Sequence, residues 1–430
     1  MSHDPADDTY RILDANGVRT WLARLPHVRS RLGGSADDWG VREVGDGNLN
    51  LVFLVDGAEG SVCVKQALPY VRAAGPSWPM TPARAHFENA YYRTVAPYVG
   101  RRIPEVYHYE PTHYSIVMEN LAPHTLLRYG LIAGNRYERV GRDLGEYIAR
   151  VAFFTSDLAA PFERKFDDIA RFAANKALVR ISVDLIFTDP YRESPRNRHT
   201  TPQLDPWVAA LRRNAQVKAA AARLGQKFLG DTQALIHGDL HSGSIMVTAE
   251  DTRVIDPEFA FYGPVGFDLG AFVGNLLLSW CAQPGHAAQG DDRAGLRKWI
   301  LDQIGAFWSA FQHEFLRLWR NEAHGDAWPA ALFPGPDDAT ALQSAQKAYL
   351  DSLFTDMLGF AACKMIRRIV GFAHVADLER ISNAHLRASC ERSALAIAVE
   401  LLTRTATFHT IEDVLETLPR IAQLAAGGEI

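Results

Sequence analysis

The chain has 430 residues, 47% of them hydrophobic and 22% charged, a globular composition long enough for one large domain or two ordinary ones. Its 45 basic and 50 acidic side chains leave a net charge of −5, so no positive excess favours a nucleic-acid partner. The four cysteines, Cys63, Cys281, Cys363 and Cys390, form no CxxC pair or compact cluster, which removes support for a zinc or iron–sulfur site and leaves buried thiols as the expectation.

The N-terminus begins acidic and develops no apolar leader, and the richest apolar run, Leu269–Cys281, reads as too short to span a bilayer. A cytoplasmic, reducing location without membrane partners is the expectation. Leu49–Val55 and Ser61–Lys65 alternate like strands around a glycine-containing reversal and predict a hairpin. Thr81–Tyr98 carries Phe87, Tyr91 and Val95 at helical spacing, with Pro82 in its first turn. Strands are predicted at Val106–Glu110 and Tyr114–Met118.

From there the pattern turns helical. Helices are predicted over Tyr137–Leu158, Trp207–Leu229, Arg293–Arg320, Asp338–Phe360 and Cys363–Val375, with shorter ones beyond Asp377. Asp189–Asp205, rich in proline and arginine, reads as a surface connection. The expected architecture is α+β, with a small β-rich lobe over 1–121 and a large, mainly helical lobe over 122–430.

The strongest chemical signal is His237-Gly-Asp-Leu-His-Ser-Gly-Ser244, a polar turn between two apolar runs, followed by Val254-Ile-Asp-Pro-Glu258. Asp239 is placed to orient an acceptor hydroxyl toward a γ-phosphorus and to take its proton. As an aspartate of ordinary pKa it is a weak base, so positioning outweighs prior proton removal. In an extended segment Asp256 and Glu258 share one face around the restraining Pro257, and paired carboxylates are the oxygen donors Mg²⁺ requires beside triphosphate. His237 and His241 read as structural, His237 holding the loop. Asp268 either braces the same turn or caps a helix.

In the small lobe, Gly45-Asp-Gly-Asn-Leu-Asn50 lets the backbone approach phosphate oxygens. Lys65 is the candidate charge for the α/β phosphates, with Glu88 on the following helix as its salt-bridge partner. Met118-Glu-Asn-Leu121 ends the last strand of this lobe, where an edge backbone can meet adenine with Met118 or Leu121 against its face. No GxxxxGK[ST] loop is present.

This constellation resembles the protein-kinase-like superfamily, in its aminoglycoside phosphotransferase and choline kinase branch. The resemblance implies a two-lobed fold, ATP as donor, Lys65 as phosphate anchor, Asp239 as catalytic-loop aspartate and Asp256 as metal ligand. Ser244 departs from the superfamily, which carries a metal-binding asparagine there; Glu258 supplies a compensating oxygen. Short blocks at 45–53, 64–67, 77–81, 237–244, 256–260 and 364–371 narrow the resemblance to the methylthioribose kinase family. That implies phosphorylation of the C1 hydroxyl of 5-methylthioribose in methionine salvage, by a homodimer. It also implies Asn48 and Lys65 on ATP, Glu119–Leu121 at adenine, Asp256–Glu258 at the Mg²⁺-bound phosphates, and Asp239, Arg367 and Arg368 at the sugar. The residues alone leave one arginine facing the substrate and the other bracing an acid. Two alternatives stand beside this reading: a phosphotransferase for another small alcohol, such as an amino sugar, choline or homoserine, and a non-catalytic nucleotide-binding scaffold.

Overall fold

The computed structural model describes residues 10–45, 49–72, 75–288, 290–291 and 293–427. The chain divides into two compact units. One comprises 1–124 together with 175–178 and 253–260; the other comprises 125–174, 179–252 and 261–430.

The smaller unit opens with two helices, α1 (Ala15–Ala23) and α2 (Pro26–Leu32). The Asp14 side chain caps α1 through Gly17 N–H, and Pro26 occupies the first turn of α2, where a missing N–H costs nothing. Strands β1 (Gly40–Glu43), β2 (Asn50–Asp56) and β3 (Ser61–Ala67) follow, then α3 (Arg84–Val99), β4 (Val106–Glu110) and β5 (Ser115–Glu119). The sheet is antiparallel in the order β1-β2-β3-β5-β4. The predicted hairpin is β2–β3, closed at Asp56 opposite Ser61. Helix α3 starts later than expected, and Pro82 precedes it rather than lying in its first turn.

Strand alternation decides which way Lys65 points. Val62 and Val64 are fully buried with Phe53, Val55 and Val117 in a core that α1 and α2 cover through Val18, Trp21, Leu22, Val28 and Leu32. Successive side chains leave a strand on opposite faces, so Lys65 leaves by the other face and meets α3.

The larger unit begins at β6 (Thr125–Leu126) and α4 (Leu127–Ala133), then runs through α5 (Val140–Thr155) and α6 (Phe162–Ala173); α7 (Lys176–Ser182) has its first turn in the smaller unit and the rest in the larger. The predicted Trp207–Leu229 helix is two, α8 (Asp205–Arg213) and α9 (Ala215–Gly230), split at Asn214, whose side chain accepts from Gln216 and Val217 N–H. Short strands β7 (Ala234–Ile236), β8 (Ile245–Val247), β9 (Thr252–Val254, of which 253–254 count with the smaller unit) and β10 (Phe261–Gly263) carry the polar turns; β7 pairs with β10 and β6 with β8. The rest is helical: α10 (Val265–Ala282), α11 (Ala294–Glu322), α12 (Asp338–Val370), α13 (Ala376–Glu379), α14 (Ala384–Thr403) and α15 (Ile411–Ala426).

Three expectations are corrected here. The two helices predicted over Asp338–Phe360 and Cys363–Val375 are one 33-residue helix, α12, which stops at Gly371. The connection after Asp189 is not wholly superficial, because Asp189, Pro190 and Tyr191 are buried and Asp189 pairs with Arg192 and Arg196. The Leu269–Cys281 run belongs to a 22-residue helical stretch, Val265–His286, long and apolar enough to cross a membrane; its residues Val265–Ala282 are all buried inside the protein, which makes it a core helix.

Candidate active site

In the smaller unit, charged groups gather on the open face of β3. Lys65 Nζ lies 2.7 Å from Glu88 Oε2 on α3 and is also ion-paired to Asp256. Glu258 is buried and held by Arg84 Nε (3.1 Å) and Asn50 Nδ2 (3.0 Å). Arg84 is itself fully buried, and its remaining N–H groups donate to the carbonyls of Leu49, Leu68 and Thr81 and to Asn50 Oδ1. Nothing in the local pattern around Arg84 sets it apart from a surface helix residue, so the sequence reading missed it, along with Asn50.

The route by which Asp256 and Glu258 meet differs from the one expected. Strand β9 ends at Val254, and Asp256 adopts a left-handed backbone conformation (φ 71°), so the shared-face argument for an extended segment does not apply. A non-glycine residue there costs about 1 kcal/mol and persists only when its surroundings impose it. They do so here: Asp256 N–H donates to Tyr92 Oη (3.0 Å), and Asn175 Nδ2 donates to the carbonyls of Glu258 (2.9 Å) and Ala260 (3.0 Å).

The result is a surplus of carboxylate. Glu88, Asp256 and Glu258 each offer an oxygen within 4.8 Å of the others. Burial raises the Glu88 pKa to about 7 against the pull of Lys65, with Asp256 and Glu258 adding to the rise. Glu258 is also raised, by burial first and then by Asp256. Burial alone would lower Lys65, but Asp256, Glu88 and Glu258 overcome it and raise its pKa. Glu88 Oε1 is buried without a hydrogen-bond donor among the described residues. Hard oxygen donors, excess negative charge and an orphaned carboxylate oxygen fit a divalent cation.

At the end of β5 the Glu119 carboxylate accepts from Arg253 (3.3 Å) and from Glu105 N–H (3.2 Å). Asn120 donates to Ser61 Oγ (3.0 Å), and Leu121 is buried. Asn48, assigned to ATP by resemblance, lies outside the described residues.

In the larger unit the turn after β7 is held by its neighbours. Asp268, in the first turn of α10, accepts from His237 N–H (2.6 Å) and Gly238 N–H (3.1 Å); Pro264, not Asp268, is the helix cap. Asp239 N–H donates to His237 Nδ1 (3.2 Å), and Ser244 Oγ donates to the Asp239 carbonyl (3.1 Å). The backbone at Asp239 is thereby fixed from both sides.

The Asp239 carboxylate faces three cations from α12. Lys364, Arg367 and Arg368 share one helix face by their spacing, with nitrogens 2.9, 4.0 and 3.9 Å from Oδ1. His241 Nε2 lies 3.4 Å from Oδ2. Burial would raise the Asp239 pKa, but Lys364 and the two arginines hold it well below the usual carboxylate range, so the assumption of an ordinary pKa is corrected. Both arginines stand at the limit of ion pairing with the same acid, and Arg368 also donates to the Ala373 carbonyl (2.7 Å). Lys364 was quoted only as part of a block; its role was invisible because only the packing of α12 reveals what it touches.

These sets comprise a lysine clamped among carboxylates and an aspartate ringed by cations, the chemistry of a phosphotransferase. The phosphotransferase enzyme family matches residues 40–307. Methylthioribose kinase 1 of Oryza sativa subsp. japonica is 44% identical over 407 residues, covering 94% of each chain. Methylthioribose kinase of Escherichia coli O45:K1 (strain S88 / ExPEC) is 44% identical over 415 residues, covering 96% of this chain and 99% of its own. A solved glucosamine kinase in complex with glucosamine, ADP and inorganic phosphate is similar at 14% identity, with a TM-score of 0.47 over 91% of this chain and 86% of that one. The chain belongs to the phosphotransferase enzyme family and, within it, to the methylthioribose kinase family. It is an ATP-dependent kinase with the expected α+β fold in two compact units, and the alternatives of another small alcohol or a non-catalytic scaffold are not favoured.

Proposed function

We propose that this kinase transfers the γ-phosphoryl group of ATP to the C1 hydroxyl of 5-methylthioribose, giving the 1-phosphate and ADP in methionine salvage. The observation that carries the substrate is near-full-length similarity to methylthioribose kinases at 44% identity. The surroundings of Asp239 support it. Lys364, Arg367 and Arg368 outnumber the single aspartate, so a cationic amino sugar or choline would meet like charge.

Asp239 receives the acceptor hydroxyl and orients it. Its depressed pKa keeps it ionised and makes it a weak base, which suits a loose phosphoryl-transfer transition state in which alignment matters more than early proton removal. Arg367 and Arg368 offset charge on the transferred group. Lys65, steadied by Glu88, meets the α/β phosphates; Asn48 and the Glu119–Leu121 segment take the rest of the nucleotide. Asp256 and Glu258, around Pro257, would hold Mg²⁺, which when bound neutralises charge on the phosphate oxygens. His237, Ser244 and Asp268 keep the Asp239 turn in place. We assign 1–121 as the nucleotide-binding lobe and 122–430 as the catalytic and substrate-binding lobe. The same reading carries a cytoplasmic homodimer without nucleic-acid or membrane partners; the net charge of −5 and four unpaired cysteines support its cytoplasmic, nucleic-acid-free part.

The test is ATP-dependent turnover of 5-methylthioribose by the wild type and Asp239→Asn. Conversion by the wild type and a ~10²–10⁴-fold lower kcat in D239N are expected for loss of a positioned base. No wild-type product sinks the substrate; near-wild-type turnover in D239N sinks the role of Asp239.

A further inference from the structure

Both oxygens of the Asp239 carboxylate have neighbours, but the two sides differ. At Oδ1, Lys364 Nζ stands at hydrogen-bonding distance, 2.9 Å, whereas Arg367 and Arg368 remain 4.0 and 3.9 Å away. At Oδ2 the neighbour is His241. Gly243 N–H donates to His241 Nδ1 (3.0 Å), and the ring is neutral because burial, aided by Arg128, Arg368 and Lys364, lowers its pKa well below the usual value against Asp239. Its proton therefore sits on Nε2, directed toward Oδ2 across a long 3.4 Å. One oxygen is tightly held and the other loosely.

Lys364 is 1% exposed and lies 4.3 Å over the Phe267 ring of α10. It is too deeply enclosed to touch a substrate, so whatever it does for the reaction passes through Asp239. Asp268 on α10 also bears on it, as do Arg367 and Arg368 on its own helix.

We propose that Lys364 is a positioning residue for phosphoryl transfer, pinning Asp239 Oδ1 so that Oδ2 is presented to the acceptor hydroxyl. The assignment rests on the kinase reading above. Burial lowers the Lys364 pKa to about 8, against the pull of Asp239 and with Arg367 and Arg368 adding to the fall. The ammonium is accordingly the species present at neutral pH, and it is lost as the pH rises through about 8.

The experiment is kcat and KM against pH for the wild type, Lys364→Met and Lys364→Arg. The wild type is expected to decline above pH about 8. In K364M the alkaline decline disappears, the acid limb moves up by about 1–3 pH units as an opposing charge is removed, and the KM for ATP is unchanged. Its kcat falls ~100-fold, the scale of a misplaced reacting group. K364R restores the acid limb and carries the alkaline decline beyond the lysine range. A K364M profile that is lowered but unshifted at both limbs means a merely structural lysine and overturns the proposal. If K364M does not fold, K364R decides: an alkaline decline still near pH 8 overturns it. If the wild type does not phosphorylate 5-methylthioribose, the reaction reading fails by itself. Carbon-13 titration of the Asp239 carboxyl in wild type and K364R, with D239N to assign the signal, then decides the lysine: a carboxyl within the usual range in the wild type overturns it, and one held below that range in both proteins supports it.

Discussion

Glu88 shows how one buried side chain ties stability to the charge balance around Lys65. Its carboxyl is buried beside Lys65 but also beside two other acids, and its pKa rises from an ordinary 4.5 to about 7. A raised pKa means that the folded protein binds more protons than the unfolded chain between those values. The favourable contribution is therefore complete below about 4.5 and is lost as pH rises through about 7. Glu88→Gln cannot make this transition. Thermal melts of both proteins at pH 5 and pH 8 should show E88Q gaining on the wild type as the pH rises; a constant difference would contradict the charge balance around Lys65. Lys65, Asp239 and Asp256 were legible in the sequence because each sits in a motif whose order implies chemistry. Arg84, Asn50 and Lys364 were not, because their partners are 174, 208 and 125 residues away along the chain. A cation on a helix acquires meaning only from what packs against it.

At the scale of elements, glycine is the clearest case. Gly266, Gly270 and Gly274 fall on one face of α10 by their spacing, and there α12 approaches backbone to backbone. A Cβ on Gly270 would stand 2.6 Å from both the Ala361 nitrogen and the Met357 carbonyl oxygen, neither of which can swing aside. Gly270→Ala should therefore destabilise by about 1–3 kcal/mol through overpacking. Gly305 in α11 is the control, since a Cβ there meets only Leu415 Cδ1 at 3.5 Å. Gly305→Ala should stabilise by about 1 kcal/mol, the helix propensity difference. Denaturant midpoints measure both, and the same sign for the two would refute the packing argument. The sequence spacing of these glycines reveals a face but not its occupant. The hairpin and the β4–β5 pair were legible from alternation and turn residues. The break expected within α12 fell at Ala361 and Ala362, both strong helix formers, and the helix runs through them, and through Gly359 before them, to Gly371. Helices α1 and α2 went unread, although Asp14 and Pro26 are ordinary start signals.

For the whole molecule, the two sets of candidate site residues belong to different compact units. Lys65, Glu88, Asp256 and Glu258 lie in one, and Asp239, Lys364, Arg367 and Arg368 in the other. The first is assembled from segments far apart in sequence, since 253–260 joins it only after the chain has passed through much of the second. Linear reading finds the motifs on these segments but not the company they keep. The division makes a thermodynamic prediction. If nucleotide phosphates are held by the first set, ligand binding stabilises the folded chain whether or not Asp239 is intact. At a free ATP concentration 100 times Kd, with divalent cation present, that gain is about 2.7 kcal/mol. The D239N variant should keep the ATP-induced rise in melting temperature, while Lys65→Ala should lose most of it at the same concentration. The converse pattern, a rise lost in D239N and kept in K65A, would place the phosphates with Asp239 and its α12 cations, and Lys65 would then be a structural ion pair buried among its acids.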